Sequence, residues 1–152
     1  MRGWKLAGVF VGLVAAASLV AGPTVEPVTQ EALMSRLGSG ATAPFVLDVR
    51  SPEEFASGHV PGAVNIPHDQ IAARLAEVPR DKDVVLYCRS GRRTMLAAEV
   101  LAGNGYTRLQ HLEGDAAAWV DQGRPLEKPR DPDACVKALK SGAPAAQACA
   151  PN

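Results

Sequence analysis

The chain has 152 residues, 47% of them hydrophobic and 21% charged, and its formal charge is zero. That length holds one domain with a real core and a short extension, and the composition excludes a disordered chain. The balanced charge offers no basic surplus for nucleic acid or for an anionic membrane surface, so neither is expected as a partner.

Residues 1–22 read as a targeting segment rather than as part of the fold. Arg2 and Lys5 precede an apolar run, and small residues follow around Ser18 to Gly22, the layout of a secretory signal. The run from Leu6 to Ala21 is 16 residues, shorter than the ~20 that a spanning helix needs. Cleavage after Ala21 or Ser18 is expected, with export to a bacterial periplasm. The alternative is an uncleaved anchor in the inner membrane, facing the periplasm, and membrane association follows only in that case.

Thr29 is placed to cap a helix from Gln30 to Leu37, ended by Gly38. Phe45 to Val49 is a short apolar run behind Pro44 and predicts a buried strand. Ser51-Pro52-Glu53-Glu54 supplies an N-cap, a proline at the first helical position and two acids in the first turn of a short helix ending by Gly58. Ala63 to Ile66 predicts a brief strand, and Asp69 to Ala76 a helix with Ile71 and Leu75 on one face. Asp83 to Tyr87 predicts the central strand, Thr94 to Asn104 a helix, Arg108 to Leu112 another strand, and Asp115 to Gln122 a last helix anchored by Trp119. Short apolar strands alternating with helices imply βαβ units and a mostly parallel sheet, with ligands at the carboxyl ends of its strands.

Cys88-Arg89-Ser90-Gly91-Arg92-Arg93-Thr94 lies at such an end. A thiol between a strand and the first amides of a helix sits where unpaired N–H groups and the helix dipole favour an anion. Arg89, Arg92 and Arg93 add positive charge there, and both effects favour the thiolate, which is the nucleophile. The cluster suits a small anionic ligand. Asp48 and Arg50 follow the preceding strand at the same edge, and Arg50 is expected to pair with Glu54 or a neighbour and so shape the site. His59 sits in a glycine-rich turn and reads as structural. His68 and His111 stand alone, without metal-ligand spacing, and no metal or cofactor is expected.

From Pro129 the composition shifts to Pro, Ala, Lys and Cys, and a boundary falls there: a domain over 23–128 and an extension over 129–152, with Asp131-Pro132 able to start a helix through Lys140. In an oxidising compartment Cys135 and Cys149 are expected to pair, closing a loop of 15 residues worth ~3 kcal/mol in the chain-entropy model and leaving Cys88 as the free thiol. The alternative is a disordered tail with two free thiols.

Four segments, in order, resemble the single-domain rhodaneses, the thiosulfate sulfurtransferase family: Leu47-Asp48-Val49-Arg50 with Glu53-Glu54-Phe55; Gly58 to Pro67; Tyr87 to Thr94; and Glu113-Gly114 with Trp119 and Gly123 to Leu126. The resemblance covers about residues 25 to 127. It implies an α/β, rhodanese-like fold with a central five-stranded parallel sheet flanked by helices. It also implies a Cys88 that takes sulfur from thiosulfate or a similar donor as a persulfide and passes it to a thiophilic acceptor such as cyanide or a thiol. Arg89 to Thr94 would bind the substrate, and Asp48 and Arg50 would support them. Asp115 stands where many relatives carry a second glycine, and is expected to cap the last helix. Cys88 to Arg93 is a Cys-x4-Arg loop, one residue shorter than the Cys-x5-Arg loop of cysteine phosphatases, which favours one sulfur atom over a phosphate. Two rival readings are a non-catalytic binding or sulfur-carrying module and a small phosphatase or arsenate-type reductase.

Overall fold

A computed structural model describes residues 24–143 and 145–151; the targeting segment expected at 1–22 lies outside them. Five strands form one parallel sheet: β1 (Glu26–Val28), β2 (Phe45–Asp48), β3 (Val64–Asn65), β4 (Val84–Tyr87) and β5 (Leu109–Leu112), in the order β1-β5-β4-β2-β3. The helices are α1 (Gln30–Leu37), α2 (Pro52–Ser57), α3 (Arg92–Gly103), α4 (Asp115–Asp121) and α5 (Pro132–Ser141). The α/β architecture with a five-stranded parallel sheet is as expected, with β4 at its centre.

Strand periodicity sorts the core into two layers. Leu47, Val84 and Leu86 point to one face, where Ile66, Ile71, Ala97 and Leu101 cover them. Val46, Val85 and Tyr87 point to the other, onto Leu33, Leu112 and Trp119. A third, small cluster of Phe55, Cys135 and Leu139 joins α5 to α2. Cys135 and Cys149 are disulfide-bonded, as expected of an oxidised extension.

Several local signals act as read. Thr29 Oγ1 accepts from Ala32 N–H at 3.1 Å, and Ser51 and Glu54 form a reciprocal capping box at the start of α2. Others do not. β1 was not foreseen, because three residues carry too little pattern to show a strand. Asp69–Ala76 is no helix but two single 3-10 turns, Ile71–Ala73 and Leu75–Glu77. Pro79 biases Val78 to extended backbone and so ends any helical ladder there, while Tyr106 Oη donates to the carbonyls of Leu75 and Val78 and anchors the second turn. α3 begins two residues before the expected Thr94, at Arg92.

Candidate active site

Every strand is parallel, so their carboxyl ends gather at one edge, and β4 delivers Cys88 there. Cys88 is a free thiol and only 1% exposed. Its Sγ accepts from the Gly91 N–H at 3.1 Å, closing a tight turn immediately before α3. Gly91 makes that turn at φ +94°, a region that favours glycine, and a Cβ there would stand 3.3 Å from both Asp115 Oδ2 and His111 Cε1. The first turn of α4 backs the loop: Ala116 N–H donates to Cys88 O at 3.0 Å and Ala117 N–H to Arg89 O at 3.3 Å. These are amides that a helix start leaves unpaired.

Beneath the loop lies Asp115, 3% exposed. Its Oδ1 accepts from the Cys88 N–H at 2.8 Å and from Thr94 Oγ1 at 3.1 Å, and its Oδ2 lies 2.8 Å from His111 Nε2. Burial works against the carboxylate, but the bonds from His111, Cys88 and Thr94 outweigh it and hold its pKa below the usual range. The same bond to Asp115 holds His111 above its ordinary imidazole value. Two expectations are corrected here. Asp115 does not cap α4: Gly114 is the N-cap, without a side-chain bond, and the Asp115 carboxylate turns instead to the cysteine loop. His111 does not stand alone. Asp115 has φ +53°, which explains why a glycine suits this position, and aspartate is among the few other residues that tolerate it.

Arg93 and Glu54 form the rim. Arg93 donates two bonds to the Glu54 carboxylate, at 2.6 and 2.9 Å, and this pairing lowers the Glu54 pKa to about 2. Glu54 is thereby the partner of Arg93, and Arg50 turns elsewhere. Arg93 is held more firmly charged chiefly by Glu54, with Cys88 adding to it. Arg50 and Asp48 form a buried pair, with bonds of 2.6 to 3.0 Å. Tyr87 Oη donates to Asp48 Oδ2 at 2.6 Å and accepts from Val60 N–H, while Arg50 also donates to Gly58 O at 2.9 Å. The network ties β2 and β4 to the 58–60 turn; among the described contacts, neither Asp48 nor Arg50 touches Cys88.

The structure therefore brings together Cys88, Gly91, Arg93 and Thr94. Arg89, Ser90 and Arg92 are exposed around them. His59 is buried, stacked on Phe55 with Nδ1 3.0 Å from Phe55 O, and burial lowers its pKa. The residues that sequence reasoning missed as site neighbours are Asp115 and His111. Their one signal was an acidic residue standing in place of a glycine, beside a histidine four positions earlier.

A model of the rhodanese-like domain matches residues 29–122. The chain is 38% identical to a sulfurtransferase of Allochromatium vinosum over 105 residues, 69% of this chain and 97% of that protein. It is 40% identical to the thiosulfate sulfurtransferase PspE of Escherichia coli over 70 residues, 45% of this chain and 67% of that one. Other relatives are spanned over only 30% to 59% of their length. Among solved structures, a rhodanese-related protein of Thermoplasma volcanium superposes with a TM-score of 0.59 at 28% identity, covering 66% of this chain and 96% of that one.

Proposed function

Since the chain belongs to the rhodanese-like domain family, we propose that it is a sulfurtransferase that moves sulfane sulfur from thiosulfate, or a similar small anionic donor, to a thiophilic acceptor through a persulfide on Cys88. One observation carries this reading: the only free thiol sits in a six-residue Cys-x4-Arg loop, its Sγ held by the Gly91 amide at 3.1 Å. A loop this tight leaves room for one added sulfur rather than for a phosphate.

Cys88 Sγ, as thiolate, attacks the outer sulfur of thiosulfate. The bond to the inner sulfur breaks, its electron pair leaves on sulfite, and the enzyme carries a persulfide. The acceptor then attacks the outer sulfur, the S–S bond breaks, and the pair returns to Cys88 Sγ. With cyanide the product is thiocyanate; with a thiol it is a hydropersulfide. The two half-reactions predict ping-pong kinetics. Arg93, fixed by Glu54, supplies positive charge beside the sulfur, while the exposed Arg89 and Arg92 draw the dianion in by electrostatic steering. Asp48 and Arg50 act only through the walls they hold.

Thiosulfate and cyanide together test the reading. Thiocyanate should form in wild type and not in Cys88→Ser, and thiosulfate alone should add 32 daltons at Cys88. Hydrolysis of a phenyl phosphate without any sulfur gain would sink it in favour of a phosphatase, and no reaction of either kind in favour of a binding module. The Cys135–Cys149 disulfide and the leader-like residues 1–22 support a site of action outside the reducing cytosol. Cell fractionation with N-terminal sequencing of the recovered protein tests that; a full-length chain in the cytosol would exclude it.

A further inference from the structure

The Asp115–His111 pair touches the reactive loop from below yet has no part in the sulfur-transfer steps. Asp115 is placed to do more than tether backbone. Its Oδ1 lies 2.8 Å from the Cys88 amide, and its Oδ2 lies 3.3 Å from where a Cβ on Gly91 would stand. Gly91 is the residue whose N–H meets Cys88 Sγ. A buried carboxylate is thus built directly under the turn that must hold a second negative charge. Like charges at such range oppose each other, and burial weakens the screening.

His111 answers that charge. Its Nε2 sits on Asp115 Oδ2 at 2.8 Å, on the side away from the bonds to Cys88 and Thr94. Protonated, it makes the pair neutral as seen from Cys88; deprotonated, it leaves the carboxylate uncompensated. Other described groups lie near the pair. Thr94 from α3 and Gln30 from α1, whose Nε2 donates to Glu113 O, are neutral. Glu113, beside the pair in sequence, favours the protonated imidazole. Arg93, held by Glu54, acts on Cys88 from the rim and does not contact Asp115 among the described bonds.

We propose that Asp115 and His111 are positioning residues that set how readily the Cys88 loop holds negative charge, Asp115 opposing the thiolate and protonated His111 cancelling that opposition. The proposal rests on the reading of Cys88 as the reacting group and adds a titrating partner to it. Its signature is a pair of opposite signs. A tether that merely holds the loop would, when cut at either residue, loosen Cys88 in the same direction.

The test is the pH dependence of alkylation of the full-length, disulfide-intact protein by iodoacetamide, with thiolate absorbance near 240 nm as a second reading. Cys88 is the only free thiol, so the signal is its own. Asp115→Asn keeps an acceptor for the Cys88 amide and removes the charge; it should move the midpoint of thiolate formation down by about one pH unit. His111→Asn, or His111→Gln should the first fail to fold, should move it up by about half a unit or more. In the Asp115→Asn background the histidine substitution should have no further effect. Shifts of the same sign in both single variants, or a histidine effect that survives without Asp115, would overturn the proposal. The assay needs no sulfur donor, so a protein that shows these shifts yet gains no sulfur from thiosulfate loses the sulfurtransferase reading alone.

Discussion

The sheet domain and the C-terminal extension are held by different means. In the domain, two apolar layers close over both faces of five strands, and a buried Asp48–Arg50–Tyr87 network fixes the edge that carries the site. The extension has one short helix, two buried residues (Cys135 and Leu139) packed against Phe55, an exposed Lys140–Glu53 ion pair and a disulfide. A core of that size cannot order a chain by itself, whereas a covalent link lowers the entropy of its unfolded state. Function follows the same division. The residues around Cys88 belong to the domain, and among the described residues the extension packs on α2, which presents Glu54 to Arg93.

That contrast can be broken at several points. The largest effect is expected from Arg50→Ala, which strands the buried Asp48 carboxylate and should lower global stability by about 3–5 kcal/mol in urea unfolding. A loss under about 1 kcal/mol would mean that the network is not what holds the edge. Next comes the double variant Cys135→Ser/Cys149→Ser, expected to cost ~3 kcal/mol. Hydrogen exchange should rise in α5 and hardly change in β4; a rise spread over the sheet would erase the division between the two regions.

At the rim, Glu54→Gln should cost less than about 1 kcal/mol of stability, because the pair is partly exposed. Yet kcat/KM for thiosulfate should fall about tenfold or more as Arg93 loses its orientation. The sign of its pH dependence is set by a depressed carboxyl: the contribution of Glu54 is complete above the unfolded value of 4.5 and fades as the pH falls through about 2. Acid unfolding of Glu54→Gln and wild type should therefore converge near the lower limit. The smallest effect belongs to His111→Asn. His111 is raised by Asp115, so its contribution is full below its ordinary 6.5 and is lost as the pH rises through the folded value. The difference in unfolding free energy between wild type and variant, roughly a few tenths of a kcal/mol after screening, should shrink from about pH 6 to pH 9 in urea unfolding. A difference that grows instead would reverse the sign of the pairing.

Much of this was legible before any coordinates. The strand at Asp83 to Tyr87, the Ser51 cap, the cysteine loop and the helix at Asp131 follow from local rules, because hydrophobic period, capping and glycine turns act over a few residues. Trp119 could be read as core for the same reason, and it is fully buried. Local rules also fail in local ways: β1 is too short to register, and Asp69–Ala76, with Pro79 behind it, breaks into two 3-10 turns.

The Cys-x4-Arg loop, its place at a strand end and the alternation of strands with helices are properties of the linear chain, since each depends on neighbours within a few positions. Which charges meet is not. Arg93 finds Glu54, 39 positions away, and Asp115 reaches the Cys88 amide, 27 positions away, only because parallel strands bring distant ends to one edge. Ion pairs and side-chain hydrogen bonds form over a few ångströms, so their partners are decided by the folded sheet and not by spacing along the chain.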